Sequence, residues 1–321
     1  MKKLKIAVAS ALLLLGSLAQ ANGYPNKPIK IIVPYAPGGS SDLSARLLAE
    51  GLTARLKTQV LVENMPGATG NIGTRAVAKA KPDGYTLLLG YDGTLTINPW
   101  VFPSANFDTL KDFVPVSKIA DSTLILVANN DLPVKNVKEM IDLAKARPNF
   151  LDYATTGVGS TPHAAGEMMN QQFGINLRHI PYSGGAPAMT AVMGDHVKMV
   201  YTAVGTAVTF IQSGKMKALG VSAPKRAAAL PDVPTFTEQG VPGFDLNSWF
   251  GILAPAGTPK AIVDQLQRNI KAVVESPQYR ERYIAAGLEP VGNTSEEFGA
   301  QIKADLARWG AIVKKAKMVA E

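Results

Sequence analysis

The 321-residue chain contains no cysteine. That absence excludes disulfides, thiolate metal sites, a cysteine nucleophile and a lipidated N-terminal cysteine. Histidine is scarce: His163, His179 and His196 leave too little material for a zinc cage. Charged residues make up only 18% of the chain. They form no block of one sign and no basic stripe interleaved with aromatics, so nucleic-acid binding is not expected. Familiar catalytic signatures are also missing. There is no G-x-S-x-G nucleophile elbow, no Gly-Lys-Ser/Thr phosphate loop and no H-E-x-x-H. Gly157-Val158-Gly159-Ser160-Thr161-Pro162 begins like a dinucleotide fingerprint, but Pro162 stands where the third glycine belongs. No metal and no cofactor is expected.

After residue 21 no apolar run approaches the length of a membrane span. Residues 1–21 themselves read as an export signal: Lys2, Lys3 and Lys5 precede the apolar run Ile6–Leu18, and Ala19-Gln20-Ala21 fits a cleavage site. Cleavage there removes three lysines and lowers the net charge from +8 to +5. The expected product is an exported, soluble protein with a mild positive field that suits small anions.

What the chain does contain is an alternation of β-type and helical runs. The β-branched run Ile29–Val33 is followed by helical spacing over Ser41–Leu56, with Leu43, Leu47, Leu48 and Leu52 on one face. The alternation continues through strands at 60–63 and 85–90, a long extended stretch Val114–Asn129, and helix–strand pairs to Ser222. Thr258-Pro259 predicts an N-cap and first residue of a helix, and Thr294-x-x-Glu297 predicts a capping box before the last one. Such alternation implies parallel sheets covered by helices.

Two loops resemble each other. Val33-Pro34-Tyr35-Ala36-Pro37-Gly38-Gly39-Ser40 and Ile180-Pro181-Tyr182-Ser183-Gly184-Gly185-Ala186 both run from strand through Pro-Tyr and Gly-Gly into a helix. Two α/β halves presenting the same loop to one cleft would account for this; so would ordinary Gly/Pro turn chemistry. Four Gly/Ser/Thr-rich loops precede helices: Ala36–Ser41, Pro66–Gly73, Gly157–Thr161 and Ser183–Ala186. Free N–H groups at helix starts, the helix dipole and glycine's close approach make such loops anion sites without arginine.

The motifs Pro34–Asp42 with Ala45-Arg46, Pro66–Gly73, Gly157–His163, Pro181–Gly185 and Ser248-Trp249-Phe250-Gly251 together resemble the Bug family, the substrate-binding receptors of tripartite tricarboxylate transporters. The resemblance spans essentially the whole chain after the signal. It implies a non-enzymatic, two-lobed α/β protein of periplasmic-binding type, with two mainly parallel sheets joined by two crossover strands. Lobe 1 is expected from about 24–125 plus 224–321 and lobe 2 from about 126–223, with crossings near Val114–Asn129 and Lys217–Pro224. The implied partners are a small organic acid or related ligand and the membrane permease subunits of the transporter. The protein is expected to act in the periplasm as a monomer.

The expected ligand-binding residues are Tyr35, Pro37, Gly38, Gly39, Ser40, Ala68, Thr69, Asp92, Gly93, Thr94, Gly159, Ser160, Thr161, His163, Tyr182, Gly185 and Trp249. Tyr35 and Tyr182 follow prolines at strand ends, where a ring faces either the cleft or the core. Asp42 and His163 each lie in a first helical turn, where dipole or backbone bonding is the simpler role. Asp92 departs from the family pattern, in which a neutral residue is usual. Asp92-Gly93 fits a turn with the carboxylate turned away. Otherwise Asp92 is protonated and donates to an anion, or accepts from a ligand amine, amide or hydroxyl; the acceptor role needs no shifted proton equilibrium and is preferred of these two. Two other functions remain open: an exported hydrolase using Ser160 and His163, and a sensor that docks a membrane signalling protein.

Overall fold

The structure, a computed structural model, describes residues 23–316 apart from 103 and 245. The export signal expected at 1–21 lies outside the described residues.

In β1 (Ile29–Val33), all but Lys30 are buried, as expected for a strand with neighbours on both sides and helices over its faces. β2 (Val60–Asn64) and β3 (Thr86–Tyr91) flank β1 in parallel, each reached through a helix: α1 (Ser40–Leu56) and α2 (Asn71–Ala78). After β3 the chain makes a π-type turn, Gly93–Ile97, and a short helix α3, Asn98–Val101. The extended stretch expected near Val114–Asn129 is one strand, β4 (Phe113–Ala128).

β4 belongs to both sheets. Its first part pairs antiparallel with β9 (Asn247–Pro255), through Thr123 opposite Asn247. From Leu124 onward it pairs with β7 (Met199–Ala203) and β8 (Lys217–Ser222). The second sheet is completed by β5 (Asp152–Thr155) between β7 and β6 (Arg178–Pro181), both pairs parallel. Its helices are α4 (Val137–Ala146), α5 (Thr161–Phe173), α6 (Gly185–Met193) and α7 (Val204–Gln212). Within each sheet the βαβ strands are parallel, and the strands that pass between sheets run antiparallel. The architecture is thus two-lobed.

The second passage lies further along than Lys217–Pro224. After β8 the chain stays on the second sheet: Phe236 N donates to Val221 O and Leu246 N to Ser222 O, at 2.9 and 3.1 Å. Phe236, Val241, Phe244 and Leu246 share a buried cluster with Tyr201 and Leu219. The chain enters the first sheet only at Asn247. An apolar side chain needs a covering surface, and these four find it on the second lobe.

The chain ends in α8 (Lys260–Val274), α9 (Pro277–Ala285), β10 (Leu288–Pro290) and α10 (Ser295–Ala316). α8 buries Ile262, Val263, Leu266, Ile270, Val273 and Val274 against the first core; each such side chain contributes about 1.5–3 kcal/mol. Thr258 is not its cap: the hydroxyl is buried and donates to Pro255 O at 2.8 Å, leaving Pro259 at the cap. The capping box is present, with Glu297 N donating to Thr294 Oγ1 at 3.1 Å and Thr294 N to Glu297 Oε2 at 2.9 Å.

Candidate functional site

The carboxyl ends of the parallel strands of both sheets face one cleft, the usual ligand position in such sheets. It encloses ≈ 390 Å³ of space free of atoms, part of it open to solvent. The first lobe supplies Tyr35, Gly39, Ser40, Ser41, Tyr91 and Phe250. Tyr91 lies between Tyr35, edge-on at 5.4 Å between centroids, and Phe250, stacked at 5.7 Å. Burial holds the Tyr35 and Tyr91 phenols well above their usual range, so both are neutral. The second lobe supplies Thr156, Pro162, Gly185, Thr202, Ala203 and Thr206, and Leu124 of β4 closes the floor. No lining residue is charged.

Four helix starts contribute to this lining: Ser40 and Ser41 of α1, Pro162 of α5, Gly185 of α6 and, across the α7 cap, Ala203 and Thr206. Their dipoles favour an anion in the cleft without a cationic side chain. Two lining hydroxyls, Thr202 Oγ1 and Thr156 Oγ1, the latter beside the Tyr91 phenol, are buried without a partner at full hydrogen-bond geometry. An unmatched buried donor is costly, so these two oxygens are available to a ligand.

The lobes touch directly. Ala36 N donates to Ser183 O at 3.3 Å, and Ser40 N and Oγ lie 3.2 and 2.9 Å from Thr206 Oγ1. Cβ atoms on several glycines would collide across the seam. At Gly93 a Cβ would lie 3.0 Å from Thr161 N, and at Gly157 2.8 Å from Thr69 Oγ1. These glycines permit close approach between lobes.

Of the sequence-derived residues, Tyr35, Gly39, Ser40 and Gly185 line the cleft. Others brace it. Thr94 Oγ1 is 2.7 Å from Tyr35 Oη, and Thr69 O accepts from Tyr35, Thr94 and Asn98 at 3.3, 3.2 and 2.9 Å. Hence Ala68 and Thr69, both at left-handed φ, support the Tyr35 side rather than facing ligand. The start of α7 takes the place expected for the Pro66–Gly73 loop. Pro37 and Gly38 are exposed at the rim, with Gly38 N donating to Asp42 Oδ2 at 3.0 Å.

Ser160 is the cap of α5: its hydroxyl donates to Gly157 O at 2.7 Å and accepts from His163 N. His163 Nδ1 accepts from Gly159 N at 3.1 Å, and its ring stacks on His179 at 4.0 Å. Ser160 and His163 therefore do not form a nucleophile–base pair. Burial lowers the His163 pKa to about 4, and burial plus His163 lowers that of His179 to about 3. Tyr182 packs half-buried on the core of its own lobe. Trp249 is buried against Phe298, its Nε1 donating to Asp305 at 2.8 Å; the next residue, Phe250, walls the cleft instead. Strand alternation places neighbouring side chains on opposite faces.

Asp92 is 1% exposed and does not line the cleft. Thr161 Oγ1 donates to its Oδ2 at 2.7 Å and Ser248 Oγ donates to Oδ1. The carboxylate is occupied by protein hydroxyls, one from each lobe, rather than left as a ligand acceptor. Thr161 likewise is committed to Asp92.

The expected ligand-binding residues left out Ser41, Tyr91, Thr156, Thr202, Thr206 and Phe250, all of which line the cleft. Thr156, Tyr91 and Thr202 lie at or just beyond the carboxyl ends of β5, β3 and β7, a positional signal that applied to all three.

Fold and cleft define a two-lobed α/β binding protein of the periplasmic-binding type. Residues 44–318 match the family described as tripartite tricarboxylate transporter family receptor, and the chain belongs to that family. Protein BugT of Bordetella pertussis is 36% identical over 296 residues, 92% of this chain and 91% of the relative. The solved periplasmic binding protein BugD has a TM-score of 0.88 at 36% identity, covering 92% of this chain and 100% of the other. An R. palustris protein solved with adipate has a TM-score of 0.89 at 32% identity, covering 92% and 98%. No helix among the described residues is long and apolar enough to cross a membrane.

Proposed function

We propose that this protein is a periplasmic receptor that closes its two lobes on a small organic acid and delivers it to the permease of a tripartite tricarboxylate transporter. The observation that carries this reading is the pair of available hydroxyls, Thr156 Oγ1 and Thr202 Oγ1, in an uncharged cleft fed by four helix starts. An anion that accepts from both hydroxyls satisfies them and meets the helix dipoles. The adipate bound by the R. palustris relative supports an acid as ligand.

In this reading residues 1–21 direct export. Lobe 1 is 24–125 plus the chain after the second crossing, and lobe 2 lies between; the packing of 227–246 on the second sheet argues for ending lobe 2 near 246 rather than 223. Closure is driven by the ligand's tighter binding to the shut form. A thermal-shift screen of the exported form against small carboxylates tests the reading. A true ligand at about 100 times its Kd adds roughly 2.7 kcal/mol of stability; no shift with any acid would sink it. Co-purification with the permease subunits, with and without ligand, tests the partner. Capture of a membrane signalling protein instead would replace transport by sensing.

A further inference from the structure

Two carboxylates directly follow residues of the cleft's walls: Asp42, which is paired with Arg46, and Asp92, which is not paired with a cation. Asp92 follows Tyr91 and, through Thr161, adjoins Pro162; both neighbours line the cleft. Its two oxygens accept from Ser248 on β9 of the first sheet and Thr161 on α5 of the second. It therefore ties the lobes together. Among the described residues no cation compensates it. The charged and titratable groups facing it are the Tyr35 and Tyr91 phenols on the β1 and β3 ends and Asp305 on α10, and Asp305 repels it. The facing groups on β9 and α5 are hydroxyls that do not titrate in this range.

We propose that Asp92 is a specificity-determining residue: it clasps the second lobe through Thr161, and its negative charge behind the cleft wall confines the ligand to an acid with a single carboxylate. The proposal rests on the receptor reading above. A second carboxylate in this closed cleft meets a like charge with little water to screen it. Burial, only partly offset by the Ser248 and Thr161 hydrogen bonds, raises the Asp92 pKa to about 7, consistent with a group that gives up its charge when crowded. A dicarboxylate is then admitted mainly with Asp92 protonated, so its binding takes up a proton and strengthens as pH falls through about 7. The His163 and His179 rings, with pKa values lowered to about 4 and 3, stay neutral across this range.

The test is calorimetry with two matched pairs, hexanoate with adipate and butyrate with succinate, at pH 8 and pH 6. The wild type should prefer each monocarboxylate by about tenfold or more at pH 8, with the preference shrinking at pH 6. Asp92→Asn should gain the dicarboxylates and lose the pH dependence of the ratio. Thr161→Val removes the clasp and one of the two hydroxyl bonds that favour the Asp92 charge. It should weaken the monocarboxylate and move the pH at which the ratio changes upward, and Thr161→Ser should restore both. A dicarboxylate preferred at pH 8, a ratio unchanged in Asp92→Asn, or a pH dependence of the ratio that stays in place in Thr161→Val would overturn the assignment to Asp92 while leaving the receptor reading standing. Binding of no acid at all, here or in the wider screen, would overturn both.

Discussion

The loops that the two lobes bring to the cleft are anchored by the same geometry and opposite chemistry. In the first lobe Gly38 N donates to the side chain four residues on, Asp42, at 3.0 Å; in the second, Gly159 N donates to the side chain four residues on, His163, at 3.1 Å. Asp42 is an anion. Burial opposes its charge, but hydrogen bonds from Arg46, Gly38 N–H and Asn64 together hold its pKa below the ordinary value. His163 is a neutral ring buried against His179, and nothing nearby stabilises its cation. Glu167, whose oxygen is 4.0 Å from His163 Nε2, is itself pushed up by burial and offers little countercharge. A glycine N–H needs an acceptor, and either residue type supplies one. The choice sets how each anchor responds to acid.

Acid should therefore separate the two lobes, and this is the largest expected effect. The histidine pKa values are depressed in the fold, from 6.5 to about 4 and about 3. The fold binds fewer protons than the unfolded chain below pH 6.5, so stability is full above that pH and declines below it. The slope is about 1.4 kcal/mol per pH unit for each histidine until the folded values are reached, while Asp92, raised to about 7 in the first lobe, gains stability as pH falls and offsets about one histidine. Asp42, depressed below 3.8, contributes stability that is present above that value and lost only at lower pH. On acidification the second lobe should loosen first. Urea unfolding at pH 7, 5.5 and 4.5, with hydrogen exchange read lobe by lobe, checks this. Asparagine at 163 and 179 should flatten the slope; equal stability at pH 7 and 4.5 in the wild type would defeat the argument.

The seam between the lobes is the next place to press. A Cβ at Gly205, at the start of α7, would run into Ala286 O of the first lobe. Gly205→Val should cost closure about 3 kcal/mol, roughly a hundredfold in Kd, with the unliganded unfolding midpoint nearly unchanged. The midpoint is expected to hold because the collision exists only when the lobes meet. Calorimetry and circular dichroism read the two quantities. Undiminished affinity would mean that the seam is not part of the bound state.

How much of this was legible in the sequence follows the range of the interactions. Strands such as Ile29–Val33 and Lys217–Ser222, and helices with apolar residues three and four apart, are written locally and were read nearly to the residue. The π-type turn at Gly93–Ile97 and the helix Pro277–Ala285 carry weak periodic signals and were not anticipated. Asp92 stands out in the sequence, but its partner Ser248 lies 156 residues away and no local pattern joins them. The Ser248-Trp249-Phe250 motif marked a strand near the cleft. Which of its two faces turned inward depended on what the other face met, and Phe298 claimed Trp249.

The second lobe uses its hydroxyls in two different ways, and substitution should expose the difference. Thr202 Oγ1 has no protein partner, and Thr156 Oγ1 has only the nearby Tyr91 phenol, short of full hydrogen-bond geometry. Valine at either position should weaken an acid ligand by about 1.5–3 kcal/mol, the value of a charge-assisted bond, without lowering unliganded stability. Ser160→Ala should do the reverse. Its hydroxyl is spent on Gly157 O and His163 N, so the change should cost about 1 kcal/mol of stability and leave Kd nearly alone. Similar Kd losses in all three variants would mean that Ser160 also reaches the ligand.

The smallest expected effect concerns the two tyrosines that make the loops look alike. The ring of Tyr35 is 4% exposed, lines the cleft, and its Oη is 2.7 Å from Thr94 Oγ1. Tyr35→Phe keeps the ring and its edge contact with Tyr91, and Thr94 can still donate to Thr69 O, 3.2 Å away. The neutral contacts of Oη with Thr94 Oγ1 and Thr69 O are lost, which loosens the wall, so ligand binding should weaken by about 1 kcal/mol, roughly fivefold. Tyr182 leans on the core of the second lobe outside the cleft. Tyr182→Phe should change Kd by less than about 0.5 kcal/mol, about twofold, the range of substitutions remote from a site. Calorimetry on the two variants side by side decides whether the repeated Pro-Tyr is a functional pair. If Tyr182→Phe costs as much as Tyr35→Phe, the second tyrosine turns into the cleft when ligand is bound, and the two loops are alike in use as well as in sequence.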